Sequence, residues 1–203
     1  MGLRGIPETQ IIFEDLEILE EMALIPPEGL QRGFAGLMNA YNGQRVGAGT
    51  VAMGIAAGAY ELALEFSMER NQFGRPICEF QGLQWMLADM HIQIEAARLM
   101  LRKAAAGNTE RPGNGREFPD MLEAAQAKIF ASEMAIKVTN DALQIFGSSG
   151  YSRNFPLERM ARDARMFTIG GGTAQILRTV VASALLERKL PQTRDGYSKQ
   201  EKH

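Results

Sequence analysis

MLEAAQAKIFASEMAIKVTNDALQIFGSSG, residues 121–150, decides how this chain is read. Leu122, Ala125, Ile129, Met134, Val138, Ala142 and Ile145 recur at the spacing of one helix face, predicting a helix over about 119–146. The small polar Ser132 interrupts that stripe, and the run ends at the glycine-bounded GSSG of 147–150.

The same period appears on both sides of this segment. Upstream, Leu83, Met86, Leu87, Met90, Ile94, Ala97 and Leu101 predict a helix over 80–106, closed by the turn-rich AAAGNTERPGNG. Before it, RNQFGRPICEF reads as a loop and a helical block covers about 27–70. That block is expected to break near Asn42-Gly43, because glycine costs about 1 kcal/mol inside a helix and Asn-Gly favours turns. Its second half carries Gly47, Gly49, Gly54 and Gly58 among alanines, small enough for a neighbouring helix to come close. Downstream, a short helix over 156–165 precedes the IGGGT turn, and a last helix runs over 173–188 with Thr173 as its N-cap. Long helices with short connections make an all-α fold, an antiparallel four-helix bundle, the economical architecture. Ile11, Phe13, Leu16 and Ile18 lie among acidic residues, and the pattern around 11–13 suggests one extended strand, which finds no partner in the sequence. The expected division is a strand remnant and linker over 1–25, a bundle over 26–190, and a polar, disordered tail over 191–203.

Composition narrows the function classes. The 203 residues include 22 Lys and Arg against 24 Asp and Glu, and this balance gives no electrostatic case for nucleic acid or an anionic membrane surface. The single cysteine, Cys78, excludes an internal disulfide and points to a reducing, cytoplasmic setting. The longest run of small and apolar residues, 46–60, falls short of the roughly 20 needed to span a bilayer, and no secretory pattern opens the chain. Only two histidines, His91 and His203, are present, so a histidine-based metal site or a Ser-His-Asp triad is poorly supplied.

Together, RNQFGRPICEFQGLQWMLADM (70–90), QIFGSSGYSRNFPLERMARDAR (144–165) and GGTAQILR (171–178) resemble the acyl-CoA dehydrogenase family. With MGLRG and FEDLEI the resemblance extends over nearly the whole chain, and it implies the end of that family's middle β domain followed by its C-terminal helical bundle. It implies FAD as cofactor and an acyl-CoA as substrate. A homodimer or homotetramer follows, with an electron-transfer flavoprotein or another acceptor as partner if the protein is a dehydrogenase. Arg70 and Phe73 then belong to a loop that reaches the FAD of a neighbouring subunit, and a guanidinium suits a pyrophosphate. Gln81, Gln144, Gly147, Thr173 and Gln175 match cofactor-contacting positions, as does Ser148, which stands where the family usually has a second glycine. Asn42, Arg45 and Gly172 match positions beside the substrate.

The catalytic carboxylate is missing. Family members usually carry a glutamate two residues before the Thr173 position, where it takes the α proton while the β hydrogen leaves as hydride to flavin N5. Here that position is Gly171. Other members carry the base directly before an arginine on an earlier helix; here the dipeptide is Gln44-Arg45, and a neutral amide is no base. Three readings follow. One is an acyl-CoA dehydrogenase-like enzyme whose base lies elsewhere. Another is a non-dehydrogenating member such as a sulfinopropionyl-CoA desulfinase, whose β leaving group makes α-proton removal unnecessary. The third is a helical oligomerisation module without activity of its own.

Overall fold

The computed structural model describes residues 1–25, 29, 31, 33–106, 118–188 and 190. Six helices hold the described core: α1 (Gly33–Glu69), α2 (Gln81–Ala106), α3 (Met121–Phe146), α4 (Ser148–Tyr151), α5 (Leu157–Met166) and α6 (Ala174–Leu185). Strands β1 (Asn71–Gln72) and β2 (Arg75–Pro76) form an antiparallel hairpin between α1 and α2. The expected tail of 191–203 lies outside the described residues.

α3 is the central element and packs against α1, α2, α5 and α6. It starts sharply because the Asp120 carboxylate accepts the N–H groups of Leu122 and Glu123 at 2.9 and 3.3 Å. It stops at Gly147, whose φ of +59° a residue with a Cβ adopts only at a cost. α2 runs antiparallel to both neighbours, bringing Lys103 at its end beside Glu123 at the start of α3. α1 and α3 are consequently parallel: Phe66 stacks on Phe146 with ring centroids 4.1 Å apart where both helices end. The fourth bundle position is shared between the shorter α5 and α6.

Three expectations need correction. α1 passes through Asn42-Gly43 without a break. Asn42 is buried there and its Oδ1 accepts from Arg45 Nη1, one turn on, at 2.7 Å. The fully buried stripe of Ala52, Ala56, Ala59 and Ala63 against its neighbours outweighs the local glycine cost. The resulting 37 residues are long and apolar enough to cross a membrane by length and composition, which the shorter run in the sequence did not suggest. The alanine stripe is nevertheless a bundle face. Second, residues 11–13 form no strand; Ile11, Ile12 and Phe13 stay exposed, since strand hydrogen bonds need a second strand and none lies beside them among the described residues. Third, 71–76 is a hairpin and not a loop, turned by Phe73 and Gly74 at φ of +54° and +81°.

The first residues dock on α5. Leu3 N–H donates to Asp163 Oδ1 at 2.6 Å, and Arg162 Nη1 donates to the Met1 carbonyl at 2.6 Å. A Cβ on Gly2 would lie 2.4 Å from the Arg162 carbonyl oxygen, so this seat accepts only glycine.

Candidate functional site: two clefts on the 168–173 turn

Between α5 and α6 the chain turns through residues 168–173. The turn is closed by Ala174 N–H donating to the Thr168 carbonyl at 2.9 Å, and Thr173 Oγ1 caps α6 by accepting from Ile176 N–H at 3.2 Å. Gly171 and Gly172 have φ of +71° and +97°, which lets the backbone reverse within two residues.

One cleft, of about 290 Å³, lies between this turn and the first half of α1. Gln44, Gly47 and Ala48 form one wall; Met166, Phe167, Gly170 and Gly171 form the other. The two positions where a catalytic carboxylate was expected therefore face the same space. None of the seven lining residues is ionisable, and nothing lies within 4 Å of where a Gly171 Cβ would sit. The cleft can hold an apolar chain, but it has no side chain of its own to remove a proton.

A second groove, of about 340 Å³, opens on the α6 side and is lined in part by Glu133, Arg165, Thr168, Thr173 and Gln175. Its wall is braced by the paired contacts of Arg178 with both Glu133 carboxylate oxygens at 2.7 Å, which hold Glu133 below its usual pKa. The donor set consists of the Arg165 guanidinium, which also hydrogen-bonds Thr168, the Gln175 amide and the α6 N-terminus. Among the described residues nothing accepts from the N–H groups of Gly171, Gly172 and Thr173. Such donors fit the anionic, phosphate-bearing part of a dinucleotide cofactor.

Beneath the turn lies a residue that the sequence reading missed. Lys128 is fully buried, and its Nζ donates to the Gly172 carbonyl at 2.7 Å. Burial first, and then the charge of Arg45, lower its pKa to about 8. Arg45 is itself 8% exposed, holds Asn42, and keeps a buried Nε with no partner among the described residues; burial lowers its pKa too. The signal was present in the sequence, since Lys128 falls on the stripe between Ala125 and Ser132, where a cation has no ordinary place.

The remaining candidates lie elsewhere. Arg70 and Phe73 are exposed on the α1–α2 connection and Gln81 at the start of α2, and Gln144, Gly147 and Ser148 are exposed where α3 ends. The Phe66–Phe146 stack places both groups at one end of the bundle. Gln44 is 26 residues before Arg70 on α1, a separation of about 40 Å.

The family described as acyl-CoA dehydrogenase, C-terminal domain, matches residues 31–186. The 3-sulfinopropanoyl-CoA desulfinase of Variovorax paradoxus is 67% identical over 199 residues, 98% of this chain and 48% of that protein. The cyclohex-1-ene-1-carbonyl-CoA dehydrogenase of Syntrophus aciditrophicus is 45% identical, covering 92% of this chain and 43% of the relative. Butyryl-CoA dehydrogenase from Megasphaera elsdenii superposes with a TM-score of 0.71 at 42% identity, over 76% of this chain and 39% of its own. A chain solved as PigA with FAD and proline superposes at 0.64 with 27% identity, over 70% and 36% respectively. The chain spans about half the length of the curated relatives it matches. It belongs to the acyl-CoA dehydrogenase family, of which it carries the C-terminal helical domain.

Proposed function

We propose that the chain is the C-terminal part of a flavoenzyme acting on an acyl-CoA thioester, and that its reaction is desulfination of a 3-sulfinoacyl-CoA and not α,β-dehydrogenation. One observation carries this reading: Gln44 and Gly171, the two seats for a catalytic carboxylate, share a cleft that contains no ionisable side chain. The high identity to proteins named as 3-sulfinopropanoyl-CoA desulfinases supports it. In such a reaction the Cβ–S bond breaks with its electron pair left on carbon, which takes a proton from water. Sulfur leaves as sulfur dioxide and hydrates to hydrogen sulfite. No proton has to leave the α carbon, so a cleft without a base suffices.

In this reading Gly171 and Gln44 form the wall without a base, and Asn42, Arg45 and Gly172, none of which lines that cleft, belong to the substrate's wider surroundings. Thr173 and Gln175 hold FAD of the same subunit. FAD would supply a hydride acceptor in a dehydrogenation; the desulfination passes no hydride to it. Arg70, Phe73, Gln81, Gln144, Gly147 and Ser148, at the far end of the bundle, serve the FAD of a neighbouring subunit, which requires a homodimer or homotetramer. The division into 1–25, 26–190 and 191–203, an inactive isolated bundle and a reducing cytoplasmic setting belong to the same proposal.

The test incubates the complete flavoenzyme with 3-sulfinopropanoyl-CoA, following sulfite, and with saturated acyl-CoAs plus an electron-acceptor dye. Sulfite release without dye reduction is expected. Prompt dye reduction by a saturated acyl-CoA would replace this reading by the dehydrogenase one, with an electron-transfer flavoprotein as acceptor. A complete protein purified without flavin would favour the purely structural module.

A further inference from the structure

The Gly172 carbonyl is held from inside the bundle, by a lysine with no exposed surface. No cis peptide bond is present among the described residues, and in a trans unit C=O and N–H point in opposite directions. A Gly172 carbonyl drawn inward therefore turns the Thr173 N–H outward, on the side where Thr173 lines the second groove with Arg165, Thr168 and Gln175. Rotation of this peptide plane changes ψ of Gly172, which glycine tolerates, together with φ of Thr173, and the Lys128 bond helps to hold the observed orientation.

Lys128 has no other evident purpose. Among the described residues it has no carboxylate partner, and the charge that acts on it is the like charge of Arg45. A methionine would fill the same core volume without burying a cation, so packing does not explain the lysine.

We propose that Lys128 is a positioning residue for the cofactor, holding the Gly172 carbonyl so that the Thr173 amide is aimed into the groove. This rests on the reading of that groove as part of the FAD site.

The test is a double-mutant cycle on FAD affinity, measured by flavin fluorescence after deflavination and reconstitution of the complete flavoenzyme. Thr173 has φ of −57°, so T173P removes the N–H without changing the backbone angle, and T173A keeps it. K128M is expected to weaken FAD about tenfold in the T173A background and less than twofold in the T173P background, with helix content unchanged. An equal loss in both backgrounds, or no loss, overturns the inference. If K128M fails to fold, K128Q carries the same comparison; if neither folds, Lys128 is a structural core element and the inference is overturned. A wild-type enzyme that binds no FAD overturns the cofactor reading and this inference with it. A wild type that binds FAD beside an unaffected K128M overturns this inference alone.

Discussion

Gln44, on α1, and Gly171, on the turn before α6, face each other across one cleft. A carboxylate at either position would lie against the same space.

Gln44→Glu puts an acid into that space with no change in length. In the complete flavoenzyme it is expected to create dye-coupled oxidation of a saturated acyl-CoA at least tenfold above the wild-type background, and to reduce sulfite release. A variant that keeps its flavin yet stays at background would show that Gln44 does not face the reacting carbons.

Gly171→Glu should have a different profile. No atom obstructs a Cβ there, but φ of +71° strains any residue other than glycine by roughly 1–2 kcal/mol. The variant is expected to melt a few degrees lower with unchanged helix content, read by circular dichroism. An unchanged melting temperature would contradict the left-handed backbone at 171.

Lys128 makes stability depend on pH. Its pKa falls from 10.5 in the open chain to about 8 in the fold. Below about pH 8 both states are protonated and the burial penalty is present in full. Between 8 and 10.5 the unfolded state binds the extra proton, so stability rises with pH, by up to about 3 kcal/mol. Lys128→Met lacks this group, and its stability relative to wild type should fall across the same window in denaturant titrations. Parallel curves for the two proteins would rule out the shift.

Gly150 sits against the end of α3. A Cβ there would lie 2.6 Å from the Leu143 carbonyl oxygen and 2.8 Å from Phe146 Cβ, neither of which is the tip of a flexible chain. Gly150→Ala is expected to destabilise by about 1–3 kcal/mol, seen as a lower denaturant midpoint. A neutral result would mean that α4 can move away from α3 at no cost.

Much of the fold was legible because helical period is a local property. The expected limits of α2, α3 and α5 lie within two residues of those observed, and the Thr173 cap was found where its neighbours required it. The break expected at Asn42-Gly43 failed because propensity counts only the residue's own cost, whereas the buried stripe of α1 is secured by contacts with other helices. The strand expected near Ile11 failed for the opposite reason: its pattern was local, but a strand exists only through a partner.

For the site, residue types alone showed that neither Gln44 nor Gly171 can take a proton, wherever they lie. They could not show that the two seats share one cleft, or that Lys128 reaches from α3 beneath the turn to the Gly172 carbonyl. Those facts join segments far apart in the chain. The sequence alone determined most of the helices and the side-chain chemistry at 44 and 171, because period and residue type belong to single segments. Only the tertiary structure decided which residues face one another, because the packing of α1 and the 168–173 turn around α3 sets those distances.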